Sequence, residues 1–168
     1  MLPHVRRQQA RYAGKGGLEA ATDGSVARQL AKSSYGRIVN LSSVAGLIGP
    51  IDQAAYGATK DGIVGLTRAA ALDLADLGIT VNAIAPGPIE TELMLGAWSA
   101  EALRERPQHG AIARFGTVDE IAHVALFLAA PESGFITGIT IPVDGGAVAA
   151  GAYMVEKYRR RKAAAADG

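Results

Sequence analysis

No cysteine occurs in the 168 residues, so neither a disulfide scaffold nor a cysteine-ligated metal centre is available. Histidine is nearly as scarce. His4, His109 and His123 are scattered without metal-ligand spacing, and no metal site is expected. An excess of either charge is also missing: 17 basic against 16 acidic side chains leave a net charge of +1. That balance argues against a general nucleic-acid or membrane-surface binder. No uninterrupted apolar run approaches the ~20 residues of a membrane span, and no signal-peptide apolar region follows Met1. What remains is 49% apolar and long enough for one domain with a real core. A soluble cytoplasmic protein is expected, with no nucleic-acid and no membrane partner.

Regular patterning is absent from both ends. Residues 1–24 carry Arg6, Arg7, Arg11 and Lys15 with no acid before Glu19, and no helical or strand period persists. A flexible leader is the better reading than a transit peptide. Gly14 to Gly17, GKGG, is not a phosphate loop, because no strand precedes it and its spacing fits neither the P-loop nor GxGxxG. Residues 148–168 pass through the basic run Lys157 to Lys162 into alanines and read as a solvated tail.

Between the ends the patterning is strong. A short helix is expected over 26–32, capped by Ser25. The β-branched run ending at Leu41 has Gly36 before it and Ser42-Ser43 after it, the profile of a strand buried on both faces. A long helix follows over about 53–77, closed by Gly78. It is apolar on nearly every side, so it needs cover on every side. One face can pack on the sheet, while the Ala/Gly-rich face suits a closely approaching partner helix.

A second strand over 79–85 runs into Pro86-Gly87-Pro88, which cannot continue a ladder. Residues 89–110 are amphipathic and loop-rich and read as a mobile cover over the strand ends. Thr117 and Glu120 form a capping box for another helix, and a third strand spans 137–143. Alternating strands and helices of this kind predict consecutive βαβ units on a parallel sheet.

Tyr56 and Lys60 stand four residues apart on one helical face, and Ser43 ends the first strand thirteen residues before the tyrosine. A hydroxyl, a phenol and an amine can therefore meet at the carboxyl end of a strand, where open α/β sheets bind their ligands. A free phenol titrates near pH 10 and is a poor base at neutral pH; an ammonium within about 4–6 Å favours the phenolate. Singly, each residue has a plain structural reading: a turn serine, a half-buried aromatic, a snorkelling amine.

Their surroundings tip the balance. YGATK, preceded by GRIVNLSS and followed by GITVNAIAPGPIETEL and RFGTVDEIAHVALFLAAPESGFITGITIPVDGG, resembles the short-chain dehydrogenase/reductase family, in particular its 3-oxoacyl-[acyl-carrier-protein] reductase-like members. The resemblance covers roughly residues 26–146 and corresponds to the second half of a family member. It implies an α/β fold, a partial Rossmann-like parallel sheet of about three strands with crossover helices, in a catalytic half over residues 25–147. It also implies an NAD(P)-dependent oxidoreductase acting on a small-molecule carbonyl or alcohol. Tyr56 would exchange the hydroxyl proton, Ser43 would hydrogen-bond the substrate oxygen, and Lys60 would also hold the nicotinamide ribose. Pro86 and Gly87 would let the backbone approach the nicotinamide ring, with Ile89 and Thr91 binding its carboxamide. The family uses the 53–77 helix in a dimer interface, so a homo-oligomer is expected.

The family's first half is not recognisable. The glycine-rich turn, the residue that reads the adenosine ribose and the NAG turn find no match, and no asparagine precedes Asn40. Much of a dinucleotide's binding energy comes from its remote part, so NAD or NADP is expected to bind weakly or not at all. A truncated enzyme is one expectation. The other is a non-catalytic remnant that serves as an oligomerisation module.

Overall fold

A computed structural model of the chain describes residues 30, 32, 35–105 and 110–149. The leader, most of the helix expected over 26–32, and the tail beyond 149 lie outside those residues.

Strand β1 (Gly36–Leu41), helix α1 (Ala54–Leu74), strand β2 (Ile79–Pro86), short helices α2 (Glu92–Ala97) and α3 (Ala100–Glu105), helix α4 (Val118–Ala129) and strand β3 (Thr140–Val143) follow in chain order. The strands make one sheet in the order β1-β2-β3, and both pairings are parallel. This is the parallel α/β sheet expected from the alternating pattern, and the partial Rossmann-like form that the resemblance implies.

The central strand explains its own sequence. Every residue of β2 from Ile79 to Ala85 is buried, because neighbours flank it on both sides and helices pack against it. Alternate side chains face opposite sides of a strand. Ile79 and Val81 join Ala70, Ala71 and Leu74 of α1 in one core cluster. Val64 and Thr67 extend the buried stripe of α1 toward its start. Helix α4 packs on β1 and β2 and buries Leu128 completely. Among the described residues the opposite face of α1 is uncovered: Gly62 and Gly65 face open space and Leu72 is 80% exposed.

The strands differ from expectation in two places. Pro86 belongs to β2, opposite Val143. Ala83 and Gly87 donate their N–H groups to Ile139 and Val143 on the β3 side. Alternation then turns the nitrogen of Pro86 toward β1, which has already ended at Leu41. A missing N–H costs nothing there. Strand β3 in turn starts at Thr140 rather than 137. Gly138 adopts φ +77°, and side chains supply bonds: the Thr137 hydroxyl accepts from the Val81 N–H, and the Asn82 carboxamide accepts from the Ile139 N–H. These side-chain bonds supplement two backbone bonds, the Gly138 N–H to the Val81 carbonyl and the Ala83 N–H to the Ile139 carbonyl.

The long helix ends as α at Leu74 and tightens into a 3₁₀ turn over Ala75–Leu77 before Gly78. Among the described residues of the amphipathic, loop-rich stretch 89–110 stand the two short helices α2 and α3. Among the described residues no helix is long and apolar enough to cross a membrane, and no group of three or more potential ligands could hold a metal.

The capping box at α4 forms in full: Thr117 Oγ1 accepts from the Glu120 N–H at 3.2 Å, and Glu120 Oε2 accepts from the Thr117 N–H at 2.8 Å. Arg114 grips the same carboxylate from 2.6 Å. Its guanidinium hydrogen bond, and then the Thr117 N–H, pull the Glu120 acid down to about 2. A lowered carboxylate pKa stabilises the fold fully above the ordinary 4.5 and loses that contribution as pH falls through about 2. A melting-temperature series across that window should decline, and Glu120→Gln should flatten part of the decline. An unchanged profile in the variant would show that this carboxylate does not help to hold the start of α4.

Candidate active site

Strands β1 and β2 end side by side. The Ser42 N–H donates to the Ile84 carbonyl at 2.8 Å, so the loops leaving both strands open on the same edge of the sheet. Ser43 leaves β1 as the cap of a 3₁₀ turn, Val44–Gly46, its Oγ accepting from the Ala45 N–H at 3.2 Å. The chain then reaches α1, whose first turns carry Tyr56 and Lys60.

Lys60 is tied to the end of β1 at both extremities. Its Nζ donates to the Leu41 carbonyl at 3.1 Å, and its own carbonyl accepts from Ser42 Oγ at 2.8 Å. The same ammonium sits 5.7 Å from the centre of the Tyr56 ring. Phenol and amine therefore share one side of α1, beside the strand that delivers Ser43. Tyr56 is 46% exposed, open to an incoming molecule.

The sequence did not single out Ser42, yet it is almost wholly buried and anchors the lysine backbone. Nothing local in the sequence marks it, since its partner lies 18 residues away. Once buried between β1 and α1, a hydroxyl needs a partner, and the Lys60 carbonyl supplies it. Gly46 completes the grip: a Cβ there would lie 2.5 Å from both C and O of Lys60.

The second group of predicted residues lies where β2 ends. A Cβ on Gly87 would meet Asp144 Cα at 2.8 Å, so the turn packs directly on the exit of β3. Ile89 forms an isolated parallel bridge with Gly116. Thr91 caps α2 by accepting from the Met94 N–H at 3.2 Å, which leaves its hydroxyl proton free to donate. A cleft of about 330 Å³ lies between this turn and residues 142–146, and an open groove of about 510 Å³ lies between the β1–α1 loop and α1. Neither is lined by Ser43, Tyr56 or Lys60.

Residues 20–148 match a family model described as enoyl-(acyl carrier protein) reductase. The chain belongs to the short-chain dehydrogenase/reductase family. Among its relatives in that family, the 3-oxoacyl-[acyl-carrier-protein] reductase FabG of Aquifex aeolicus is 42% identical over 119 residues, 71% of this chain and 48% of the relative. The acetoacetyl-CoA reductase of Shinella zoogloeoides is 51% identical over 115 residues, 67% of this chain and 47% of the relative.

Solved structures of the family superpose equally well. ElxO with NADP bound gives a TM-score of 0.66 at 37% identity, covering 73% of this chain and 50% of that one. A short-chain type dehydrogenase/reductase from Mycobacterium ulcerans gives 0.69 at 34% identity, covering 73% and 45%. The chain thus spans about half the length of the relatives it matches.

Proposed function

We propose that this chain is the carbonyl-handling half of an NAD(P)-dependent short-chain reductase, with Tyr56 as the proton carrier. The observation that carries the reading is the Lys60 ammonium 5.7 Å from the Tyr56 ring at the carboxyl end of β1. In the reducing direction the Tyr56 hydroxyl gives its proton to the carbonyl oxygen. Ser43 donates a hydrogen bond to that oxygen as negative charge gathers on it. Lys60 holds a positive charge beside the phenolate that is left.

The donor set fits a nicotinamide nucleotide. Lys60 has three N–H donors and spends one on Leu41, leaving two for ribose hydroxyls. The Thr91 hydroxyl and the Ile89 backbone can take the carboxamide, and Pro86-Gly87 form the close floor beneath the ring. When bound, such a cofactor supplies the hydride that goes to the carbonyl carbon. The names of the relatives support a β-ketoacyl thioester as substrate class. Proton plus hydride then convert the ketone to a secondary alcohol. A soluble, cytoplasmic reductase is the setting we assign.

The test is NADPH-dependent reduction of acetoacetyl-CoA by the purified chain. Fluorescence titration should give a dissociation constant above ~100 µM, since only the nicotinamide end of the site is recognisable. Sub-micromolar binding would refute the assignment of these residues to half a site.

A second reading rests on the uncovered face of α1. Among the described residues Gly62, Gly65 and Leu72 lie open on a helix that is apolar nearly all round, which suits a non-catalytic module joining copies of itself or intact relatives. A dimer that dissociates in Gly65→Glu, from a chain without reductase activity, would favour that reading.

A further inference from the structure

The apolar cluster that packs α1 on the sheet lies toward the far end of the helix. Ala70, Ala71 and Leu74 meet Ile79 and Val81 there, and Ala70 stands about 21 Å of helical rise beyond Tyr56. Apolar contact is also non-directional. Alanine surfaces therefore set how closely the helix lies on the sheet better than how far along it the helix stands.

Polar side chains of β1 supply that direction. Ile38, Asn40 and Ser42 alternate onto the α1 face of the strand, and Ile38 packs on the apolar cluster. Asn40 Nδ2 donates to Thr67 Oγ1 at 2.9 Å, and Ser42 Oγ donates to the Lys60 carbonyl at 2.8 Å. Thr67 is 0% and Ser42 3% exposed. The strand order 40 then 42 meets the helix order 67 then 60, so the two elements run in opposite senses and are pinned at two heights.

The helix needs neither pin for its own hydrogen bonding. The Lys60 carbonyl lies inside α1 and serves its ladder, and Ser42 takes the second lone pair. Thr67 Oγ1 likewise donates to the Ile63 carbonyl at 2.8 Å while accepting from Asn40. Tyr56 and Lys60 ride on one helix, so a slide carries them together. What a slide changes is their distance from Ser43, which leaves β1 directly after Ser42.

We infer that Ser42 and Thr67 are positioning residues: their buried hydrogen bonds fix how far along β1 the helix stands, and so hold Tyr56 and Lys60 level with Ser43. The register stands on the geometry alone. Its consequence for rate rests on the role proposed for Tyr56.

The register can be read without any activity. A Cβ on Gly46 would lie 2.8 Å from the Asp61 nitrogen, so the Gly46 α-protons and the Asp61 amide should share a strong Overhauser effect. This contact joins the loop after β1 to the backbone of α1 and reports a slide directly. It should be lost in Ser42→Ala and in Thr67→Val, and kept in Ser42→Thr and Thr67→Ser, which retain the hydroxyl.

Reduction of acetoacetyl-CoA at millimolar NADPH supplies the second readout, taken well below the melting temperature of each variant. Ser42→Ala should lower kcat by about 10- to 100-fold, the scale of a displacement of about 1 Å. KM should stay within about twofold, because no group that touches the substrate is removed. Ser42→Thr should restore kcat. The Ser42→Ala, Thr67→Val double variant should lose less than the product of the single losses, since both act through one displacement.

An intact Overhauser contact in both hydroxyl-free variants would overturn the inference, whatever happens to the rate. A lost contact with kcat unchanged would overturn the effect on rate and keep the register. If the parent chain reduces nothing, the proposed function fails, and the Overhauser contact alone still decides the register.

Discussion

Tyr56→Phe is expected to lower NADPH-dependent reduction of acetoacetyl-CoA by about 10²–10⁴-fold, the usual contribution of a positioned acid or base. The substitution removes one oxygen and leaves the ring. Among the described residues the hydroxyl makes no hydrogen bond, and the side chain is 46% exposed. Stability should therefore stay within about 0.5 kcal/mol of the parent. The rate is to be followed by NADPH absorbance at millimolar cofactor, so that weak binding does not mask the chemistry. An undiminished rate in the variant would remove the phenol from the mechanism.

Gly46→Ala should damage stability and activity together. The added methyl would lie 2.5 Å from Lys60 C and O and 2.8 Å from Asp61 N. All three are backbone atoms of α1, so no side chain can swing aside. Overpacking of this kind costs about 1–3 kcal/mol, and urea denaturation should report it as a lower midpoint at unchanged slope. The helix must slide or tilt to accept the methyl, taking Lys60 and Tyr56 with it. A displacement of about 1 Å in a positioned group can cost 10²-fold in rate.

Gly49→Ala, three residues on in the same loop, meets nothing within 4 Å and serves as the control. If both variants melt and turn over like the parent, the loop does not clamp the lysine.

Much of this was legible in the residues. The buried run of β2 announced a strand roofed on both faces, which has no polar side to show. The run ending at Leu41 promised the same, but β1 is only half-buried and Leu41 is 56% exposed among the described residues. Thr117 and Glu120 marked the start of α4 because a cap acts within four residues. Tyr56 and Lys60 declared their common face through the helical repeat alone. The shortened β3 was not legible. Residues 137–139 meet β2 through a mix of backbone bonds and the side chains of Thr137 and Asn82 and bend at Gly138, and sequence distance conceals such a stitch. Ser42 was overshadowed by its neighbour for a similar reason, since its partner is a carbonyl 18 residues away.

The sequence by itself determined the elements, their order, the family and the phenol–amine pair, since each depends on neighbours within a turn or two or on a contiguous motif. The tertiary structure alone decided that Pro86 could stay in its strand, that Ser42 and Gly46 grip the lysine, and that Lys60 rests on the Leu41 carbonyl. Those outcomes depend on which way a backbone group points once strands are side by side. That direction is a property of the assembled sheet.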